Sequence, residues 1–320
     1  MDHSRPGLLA GPLPLWLLRL LWAGSVVLVG SAIGQALASH SRPVQLVGTV
    51  GSWSGWFAGL VVVLVPTSSS LTVFRFLLPG AAAAAVLGAT LGASATSATI
   101  AIAASLSMAM LGFSGEIGQR FVQGSAYGDE TRLPLRPPGP LLIGPIPVLW
   151  ALCAAGVMGG PLLVAARAWI GGTVLTVSGV ALTILTVRSL HRLSCRWLVF
   201  VPAGLVLHDE LVLAETAMFR FAEIASVSRA LAGSEAADLT GDALGPAIEL
   251  GLADASTVVL IGSRARPHGV ALHVRSFLVS PTRPGRALDE ARRRSLADRG
   301  PSDPQATAMP PPSTSVSDES

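Results

Sequence analysis

Long apolar runs with short polar breaks fill the first 190 residues of the chain, whereas shorter, alternating runs follow. A membrane-spanning helix needs about 20 mostly apolar residues. Runs of that kind predict six transmembrane helices, covering residues 15–38, 44–65, 71–93, 98–113, 141–166 and 169–187. Residues 1–193 therefore form a predicted transmembrane helical domain.

The number of spans depends on how the third apolar stretch is divided. Leu71–Phe113 is too long for one helix at about 1.5 Å per residue. The small, polar residues Ser94–Ser97 interrupt it and are the natural place for the chain to fold back. Six helices are predicted, and five remain an alternative if this stretch is one bent helix.

The spacing of apolar residues changes after Arg196, from long runs to short ones typical of strands. Trp197–Val201, a Pro-Ala-Gly turn and Leu205–His208 predict a β-hairpin. Further strands are predicted at 217–227, 247–252, 257–262 and 269–279, then a turn at 281–285 and a charged helix at 286–297. The sequence thus predicts a small, mainly β domain over 194–297, followed by a disordered tail over 298–320.

Composition agrees with a membrane protein and argues against most soluble classes. Only 13% of the 320 residues are charged and 51% are hydrophobic, whereas soluble domains carry about a quarter charged residues. All 22 basic residues are arginines, nine of them before residue 191, where there are only four carboxylates. Because these arginines lie at segment ends and the later ones are outnumbered by acids, a nucleic-acid partner is not expected.

The placement of arginine predicts the orientation in the cell membrane. With the N-terminus in the cytosol, the external loops hold only Arg42 and Arg167. The other arginines flank cytosolic ends, as the positive-inside rule requires: Arg5, Arg19, Arg75, Arg120, Arg132, Arg136, Arg188, Arg192 and Arg196. Both termini are then cytoplasmic.

Ala36-Leu37-Ala38 also fits a signal-peptide cleavage site, but the first apolar run is long enough to span the membrane, which favours an uncleaved helix.

Tryptophans and glycines give further expectations for the helices. Most tryptophans lie near predicted span ends, but Trp53 and Trp56 do not, which suggests that the second helix starts later than Val44.

Small residues recur four apart at Gly30/Gly34, Gly51/Gly55/Gly59, Gly88/Gly92 and Gly156/Gly160. Such pairs permit close helix packing, either within one bundle, the favoured interpretation, or between copies in an oligomer.

Ionisable residues within the predicted spans are few. Arg19 and Arg75 lie within about one turn of the cytosolic ends and can snorkel. The spans contain no Asp, Glu or His, which argues against a proton-coupled transporter and an intramembrane metalloprotease. Their Ser and Thr residues have no base nearby in sequence that could activate a nucleophile.

The longest loop between spans, Ser114–Pro140, carries polar residues of interest. Glu116 and Arg120 are spaced for a weak helical ion pair. Tyr127, Asp129 and Glu130 suggest a binding loop, but an ordered connector held against the soluble domain is the favoured interpretation.

The β domain resembles bacterial pleckstrin-homology-like (PH-like) domains. The resemblance lies in the opening hairpin Arg196–Leu205 and in the closing strand Phe277–Pro281, which runs into a helix. It implies short strands closed by one C-terminal helix. The hairpin turn lacks the basic residues of lipid-binding PH domains, which argues against phosphoinositide binding.

The whole chain is also similar to an uncharacterised group of actinobacterial polytopic membrane proteins, most clearly at Ser125–Glu130 and Val199–Asp209. This resemblance implies a multi-pass membrane protein and no particular activity.

No catalytic, cofactor-binding or metal-binding residues are predicted. His208-Asp209-Glu210 is interpreted as a solvated strand end rather than a metal or acid–base cluster, because adjacent strand residues point to alternate faces. His268 and His273 flank a strand. Arg292–Arg294 form a solvated face or a weak contact with anionic lipid. Cys153 and Cys195 are expected to be reduced packing residues.

Three functional hypotheses follow. The first is a non-enzymatic membrane scaffold, adaptor or sensor whose cytosolic β domain binds a protein partner or the bilayer face. The second is a transporter or channel subunit for an uncharged or lipid-like substrate. The third, a lipid-acting enzyme, requires Glu116, Asp129 and His191 to come within hydrogen-bonding distance.

Overall fold

The computed structural model describes residues 13–262, 269–294 and 296. Six helices in this part are long and apolar enough to cross a membrane, which identifies a multi-pass membrane protein: Leu13–Ala38, Arg42–Leu64, Ser68–Thr90, Ala95–Gly112, Gly139–Ala165 and Trp169–Ser194. The six-helix prediction is confirmed over the five-helix alternative. Arg5, His268 and the predicted tail, 298–320, lie outside the described residues.

The first four spans are nearly regular helices. Span 1 comprises α1 (Leu13–Leu28) and α2 (Gly30–Ala38), and spans 2 to 4 are α3 (Arg42–Leu64), α4 (Ser68–Thr90) and α5 (Ala95–Gly112). Ser94 separates spans 3 and 4, and its hydroxyl accepts a hydrogen bond from the amide of Ser97 at the start of α5. The polar patch therefore begins a new helix, as predicted.

Spans 5 and 6 differ in regularity. Span 5 comprises α7 (Gly139–Ile143), α8 (Pro145–Ala154), a π-helical turn (Ala155–Gly159) and α9 (Gly160–Ala165). Span 6 is the single helix α10 (Trp169–Ser194), which extends seven residues beyond its predicted end at 187. The amphipathic helix α6 (Gly115–Gln123) and strand β1 (Thr131–Pro134) lie between spans 4 and 5.

The expectation that span 2 starts later than Val44 is wrong. The helix starts at Arg42, so Trp53 and Trp56 lie in its interior. The indole Nε1 of Trp56 donates to the carbonyl of Trp22, and the indole of Trp22 donates to the carbonyl of Trp56, at 3.0 and 2.9 Å. Since each indole has a backbone acceptor on the facing helix, neither needs the headgroup layer.

Beyond the spans, two four-stranded sheets form a β sandwich. The first sheet has the order β1-β2-β3-β4 and is antiparallel throughout, with β2 (Trp197–Val201), β3 (Gly204–His208) and β4 (Ala217–Arg220). The second has the order β5-β7-β8-β6, with β5 (Ile224–Arg229), β6 (Ala237–Asp238), β7 (Ile248–Leu260) and β8 (Val270–Val279). Helix α11 (Pro284–Arg293) follows.

One buried hydrophobic cluster fills the sandwich. Alternate residues of β2, such as Leu198 and Phe200, point inward and meet residues of the second sheet and of α11. The rings of Phe219 and Phe277 join the two sheets at a centroid distance of 5.0 Å. The two sheets and α11 therefore share one core.

Several predicted strand limits change. The predicted strand 217–227 is two strands, β4 and β5, which belong to different sheets and are separated by a 3₁₀ turn at Phe221–Glu223. The predicted strands 247–252 and 257–262 are one long strand, β7, with an irregular register between Gly251 and Ser256. The terminal helix starts at Pro284, within the predicted turn, and residues 295 and 297 lie outside the described part.

Candidate functional site at the junction of bundle and sandwich

The first two strands of the first sheet are connected in the chain by two membrane spans. Strands β1 and β2 pair directly, with Pro134 opposite Trp197 and Thr131 opposite Phe200. Spans 5 and 6 form the whole connection between these paired strands. The transmembrane hairpin is thus an insertion within the sandwich, and the sandwich is tied to the bundle at both ends of that hairpin.

The segment that enters span 5 is part of the sandwich rather than a free loop. Beyond β1, Leu135 forms a bridge with Pro281 and Pro138 one with Ala243. The amide of Gly139, the first residue of α7, donates to the carbonyl of Asp242 at 3.0 Å. The expectation of an ordered connector is confirmed, but sequence reasoning missed that it supplies a strand.

Tyr127 and its neighbours are part of the same connector. The Tyr127 side chain is 91% exposed. A carboxylate oxygen of Glu130 accepts from the Tyr127 amide at 2.5 Å and from Arg132 at 2.7 Å. The carbonyl of Asp129 accepts from Arg294. These contacts hold the turn against β1 and α11.

A buried ion pair holds the end of the sandwich nearest to span 6. Arg196 and Asp209 have side-chain exposures of 0% and 1%, and two hydrogen bonds of 2.8 and 2.7 Å join them. The remaining donors of Arg196 reach the carbonyls of Arg136 at 2.7 Å and Thr240 at 3.0 Å. One guanidinium therefore links four chain segments, from the entry to span 5 to the segment after β6.

The interpretation of His208-Asp209-Glu210 as a solvated strand end is wrong for Asp209, which is buried in this pair. Glu210 is exposed and lies 3.6 Å from Arg192, and the ring of His208 lies 5.5 Å from that of Trp197. Among the described residues, no group of three or more His, Cys, Asp or Glu side chains could hold a metal ion.

Two segments at this end of the sandwich lie beside the start of span 5 and the end of span 6. Arg136 donates to the carbonyls of Leu244 and Pro246 at 3.3 and 3.1 Å, which fixes their loop beside Gly139. Desolvation by burial lowers the pKa of Arg136. On the other side, the amide of Ile261 donates to the carbonyl of Val212 at 2.8 Å.

The outer face of the first sheet forms a shallow groove of about 210 Å³. Trp197, Val199, Val201 and Val206 line its floor, and its rim consists of Glu130, Arg132, His208 and Thr216. The guanidinium of Arg132 stacks over the Trp197 ring at 5.1 Å. A second cavity of about 450 Å³ lies between the last turn of α10 and the end of β7.

Helix α6 connects the bundle to the sandwich from the other side. Glu116 forms the predicted pair with Arg120, at 2.9 Å, and also binds Arg283 at the start of α11. On its bundle side, the ring of Phe121 stacks on Phe74 of span 3 at 6.2 Å. The apolar face of α6 is thus buried in the bundle while its acidic first turn holds the sandwich.

The residues of the enzyme hypothesis have separate partners. Glu116 binds Arg120 and Arg283, and Asp129 is engaged through its carbonyl. The Nδ1 of His191 lies 3.2 Å from the Thr72 hydroxyl. The Nε2 of the same ring lies 3.6 Å from the sulfur of Cys195.

Both cysteines are free, as expected. Burial, and to a smaller extent the charge of Glu210, raises the pKa of the Cys195 thiol. A neutral thiol at this position can donate to the ring of His191. Cys153 is buried between spans 5 and 6, 3.5 Å from the Thr186 hydroxyl.

The arginines within the spans reach helix ends. The Nε of Arg19 donates to the carbonyl of Val63 at 3.2 Å, near the end of span 2, and that of Arg75 donates to the carbonyl of Gly112 at 3.4 Å, at the end of span 4. A positive charge near a helix C-terminus is favourable. These side chains, which were predicted to snorkel to the cytosolic ends, cap neighbouring spans.

The glycines spaced four apart are of two kinds: some lie against another helix, and others have open space beside them. A Cβ added to Gly156 would lie 2.3 Å from the Cα of Gly179, and one added to Gly88 would lie 3.3 Å from Ala32. These glycines pack within one bundle, the favoured prediction. By contrast, Gly30, Gly34, Gly51 and Gly55 have open space at the Cβ position.

The remaining predicted polar sites are engaged locally. His273 contacts the Thr257 hydroxyl at 2.7 Å, and Arg292 and Arg293 pair with Asp289 and Glu290 on α11. Arg294 binds Glu290 and the carbonyl of Val201. Arg294 thus joins α11 to the first sheet, whereas Arg292 and Arg293 pair within the helix.

Comparison with known proteins adds no relative, because no protein family, no curated protein and no solved structure matches this chain.

Proposed function

We propose that this chain is a non-enzymatic membrane adaptor whose β sandwich binds a cytosolic protein partner. The observation that carries the proposal is the insertion of spans 5 and 6 between the paired strands β1 and β2. That connection ties the position of the sandwich to the helix ends. The groove on the first sheet is then held beside the bundle, against whose core Trp197 packs.

The groove has the chemistry of a protein-binding surface. Its floor is apolar, with Trp197 and three valines, and its rim carries charged and polar groups. An aromatic, apolar centre with a polar rim is the common composition of protein interfaces. A short apolar segment of a partner would cover Trp197 and Val206, and its polar groups would meet Arg132 and Glu130.

The order of the elements supports a PH-like domain in the proposal. Two antiparallel-rich sheets followed by a single helix, α11, agree with the architecture that the resemblance implies. The distribution of arginine supports a cell-membrane protein with both termini in the cytosol. The resemblance to actinobacterial polytopic proteins is part of the same proposal.

Polar groups at the junction support a structural rather than a chemical role. Arg196 with Asp209, Glu116 with Arg283 and His191 with Cys195 satisfy one another. Both cavities described above border the sandwich, where the partner of an adaptor would bind.

Site-specific photo-crosslinking in living cells tests the proposal. A photoreactive residue at Val206, in the groove, should yield one discrete crosslinked protein, whereas one at Ser228, exposed on β5, should not. The substitution Thr216→Arg, at the exposed rim of the groove, should weaken the crosslink from position 206. Equal products from both positions would contradict the proposal.

Orientation is tested by reporter fusions. Cytosol-active reporters should give signal after Ser125 and Asp298, and an envelope-active reporter should give signal after Arg167. External signal at Asp298 would exclude a cytosolic adaptor.

A further inference from the structure

Two exposed apolar side chains of the sandwich lie beside the start of span 5 and the end of span 6. Leu244 is 64% exposed and Ile261 is 46% exposed. Hydrogen bonds hold the backbone at both residues, from Arg136 to the carbonyl of Leu244 and from the amide of Ile261 to the carbonyl of Val212. Both side chains lie beside membrane helices, where an apolar side chain can contact the interfacial layer of the bilayer.

Leu244 continues the apolar surface of span 5. A Cβ added to Gly139, at the start of α7, would lie 2.4 Å from the Cγ of Leu244, so the two residues are in contact. Leu142 and Ile143, within about one helical turn of Gly139, are themselves exposed. Leu244 therefore lies beside the start of span 5, within about one helical turn of exposed apolar residues of that span.

Ile261 is placed in the same way beside span 6. It lines the 450 Å³ cavity together with Leu213 and with Arg192 in the last turn of α10. Arg188, one turn earlier on α10, is exposed as well. Arginines at the end of a span lie where the headgroups of anionic lipids are concentrated.

We propose that Leu244 and Ile261 insert into the interfacial layer of the leaflet in which span 5 begins and span 6 ends, with Arg188 bound to anionic lipid headgroups. Apolar residues at this boundary enter to a depth of about 5–10 Å. Lipid is favoured over a protein as the occupant because Leu244 lies beside the exposed apolar residues of α7 and because Arg188, near the end of span 6, is exposed. This proposal concerns a different surface from the groove and does not depend on a protein partner.

Spin labels in nanodiscs test the depth of the loop. The full chain, with Cys153→Ala and Cys195→Ala, is labelled at Leu244→Cys and reconstituted with phosphatidylcholine and phosphatidylglycerol. A matched control carries the label at Ala203→Cys, in the β2–β3 turn at the end of β2 remote from span 6. The label at 244 should be relaxed more by oxygen than by a water-soluble nickel chelate, and the label at 203 should show the reverse order.

A measurement on the unmodified protein keeps the proposal testable if the cysteine variants fail to fold. Amide hydrogen exchange over 241–246 should be slower in nanodiscs that contain phosphatidylglycerol than in phosphatidylcholine alone. Access of the nickel chelate to position 244 equal to that at 203, or exchange unaffected by the anionic lipid, would overturn the proposal. Loss of the crosslink from Val206 would bear only on the adaptor function.

Discussion

The four-span core, made of spans 1–4 with α6, and the hairpin region, made of spans 5 and 6 with the sandwich, are stabilised by different means. Large side chains such as Trp22, Phe74 and Met108 fill the four-span core. Spans 5 and 6 approach through glycine, with the backbones of Gly156 and Gly179 in contact. Lipid gives helices no hydrophobic drive to associate. The four-span core gains contact largely through bulky side chains, some of them packed onto glycines, whereas spans 5 and 6 bring two glycine backbones together.

The difference has a structural logic. The four-span core packs in several directions around span 3, where interlocking side chains can fill irregular space. The hairpin region must hold the ends of two helices at the separation of two paired strands, which lie about 5 Å apart. Glycine contacts bring the helices close enough for β1 and β2 to pair directly beyond them.

The largest expected effect comes from breaking the junction of the hairpin region. Asp209→Ala leaves the buried guanidinium of Arg196 without its carboxylate, which should destabilise the protein by about 3–5 kcal/mol. Urea unfolding of the full chain in micelles, followed by the β signal in circular dichroism, measures this loss.

Two further variants sharpen that test. Glu210→Ala, which removes one partner of an exposed pair, should cost less than about 1 kcal/mol. The double substitution Arg196→Met with Asp209→Leu should recover only part of the loss, since an apolar pair leaves no buried charge but leaves the carbonyls of Arg136 and Thr240 without their donor. A stable Asp209→Ala protein would show that the ion pair does not hold the junction.

Glycine packing predicts the next effect. Gly179→Leu places a side chain where an added Cβ already lies 2.4 Å from the Cα of Gly156, so the helices must separate. We expect a loss of about 1–3 kcal/mol, measured as a lower thermal midpoint in detergent. Gly55→Leu, at a site with open space, is the matched control and should leave the midpoint unchanged.

In the four-span core, the reciprocal indole bonds should give a smaller effect. Trp56→Phe removes one hydrogen bond between spans 1 and 2 and should cost about 0.6 kcal/mol, with about 1.7 kcal/mol as the upper limit. Trp53→Phe, at an exposed position on the same helix, should be neutral. A larger loss for Trp53→Phe than for Trp56→Phe in detergent unfolding would contradict this assignment.

The smallest effect concerns the Cys195 thiol. Glu210 raises its pKa in addition to the larger effect of burial, so Glu210→Gln should move the alkylation midpoint of Cys195 to lower pH. Because burial is unchanged, the midpoint should remain above that of an ordinary thiol. Glu215→Gln serves as a control, and an equal shift there would assign the effect to net charge.

The sequence predicts the spans well because span length and polarity are local properties. The observed ends fall within a few residues of the predictions, apart from span 6, where His191 and Arg192 obscure the last two turns. The predicted β2–β3 hairpin is confirmed for the same reason, since a turn signal separates two adjacent apolar runs.

Pairings between distant segments could not be predicted. Strand β1 has four residues and ends in a proline, and its partner β2 lies beyond two spans, so nothing local marks Thr131–Pro134 as a strand. Asp209 has solvated neighbours in sequence, and only Arg196 across the sheet explains its burial. Trp56 shows the same limit, because its acceptor is a backbone carbonyl of another helix.

The connection between β1 and β2 has a consequence for biogenesis. During synthesis, β1 leaves the ribosome long before β2, and an unstructured chain of that length would oppose their pairing by loop-closure entropy. Insertion of spans 5 and 6 as a helical hairpin returns the chain to the same side of the membrane with its two ends already adjacent. The first sheet can therefore be completed only after membrane insertion, which makes correct integration of the last two spans a checkpoint for folding of the soluble part.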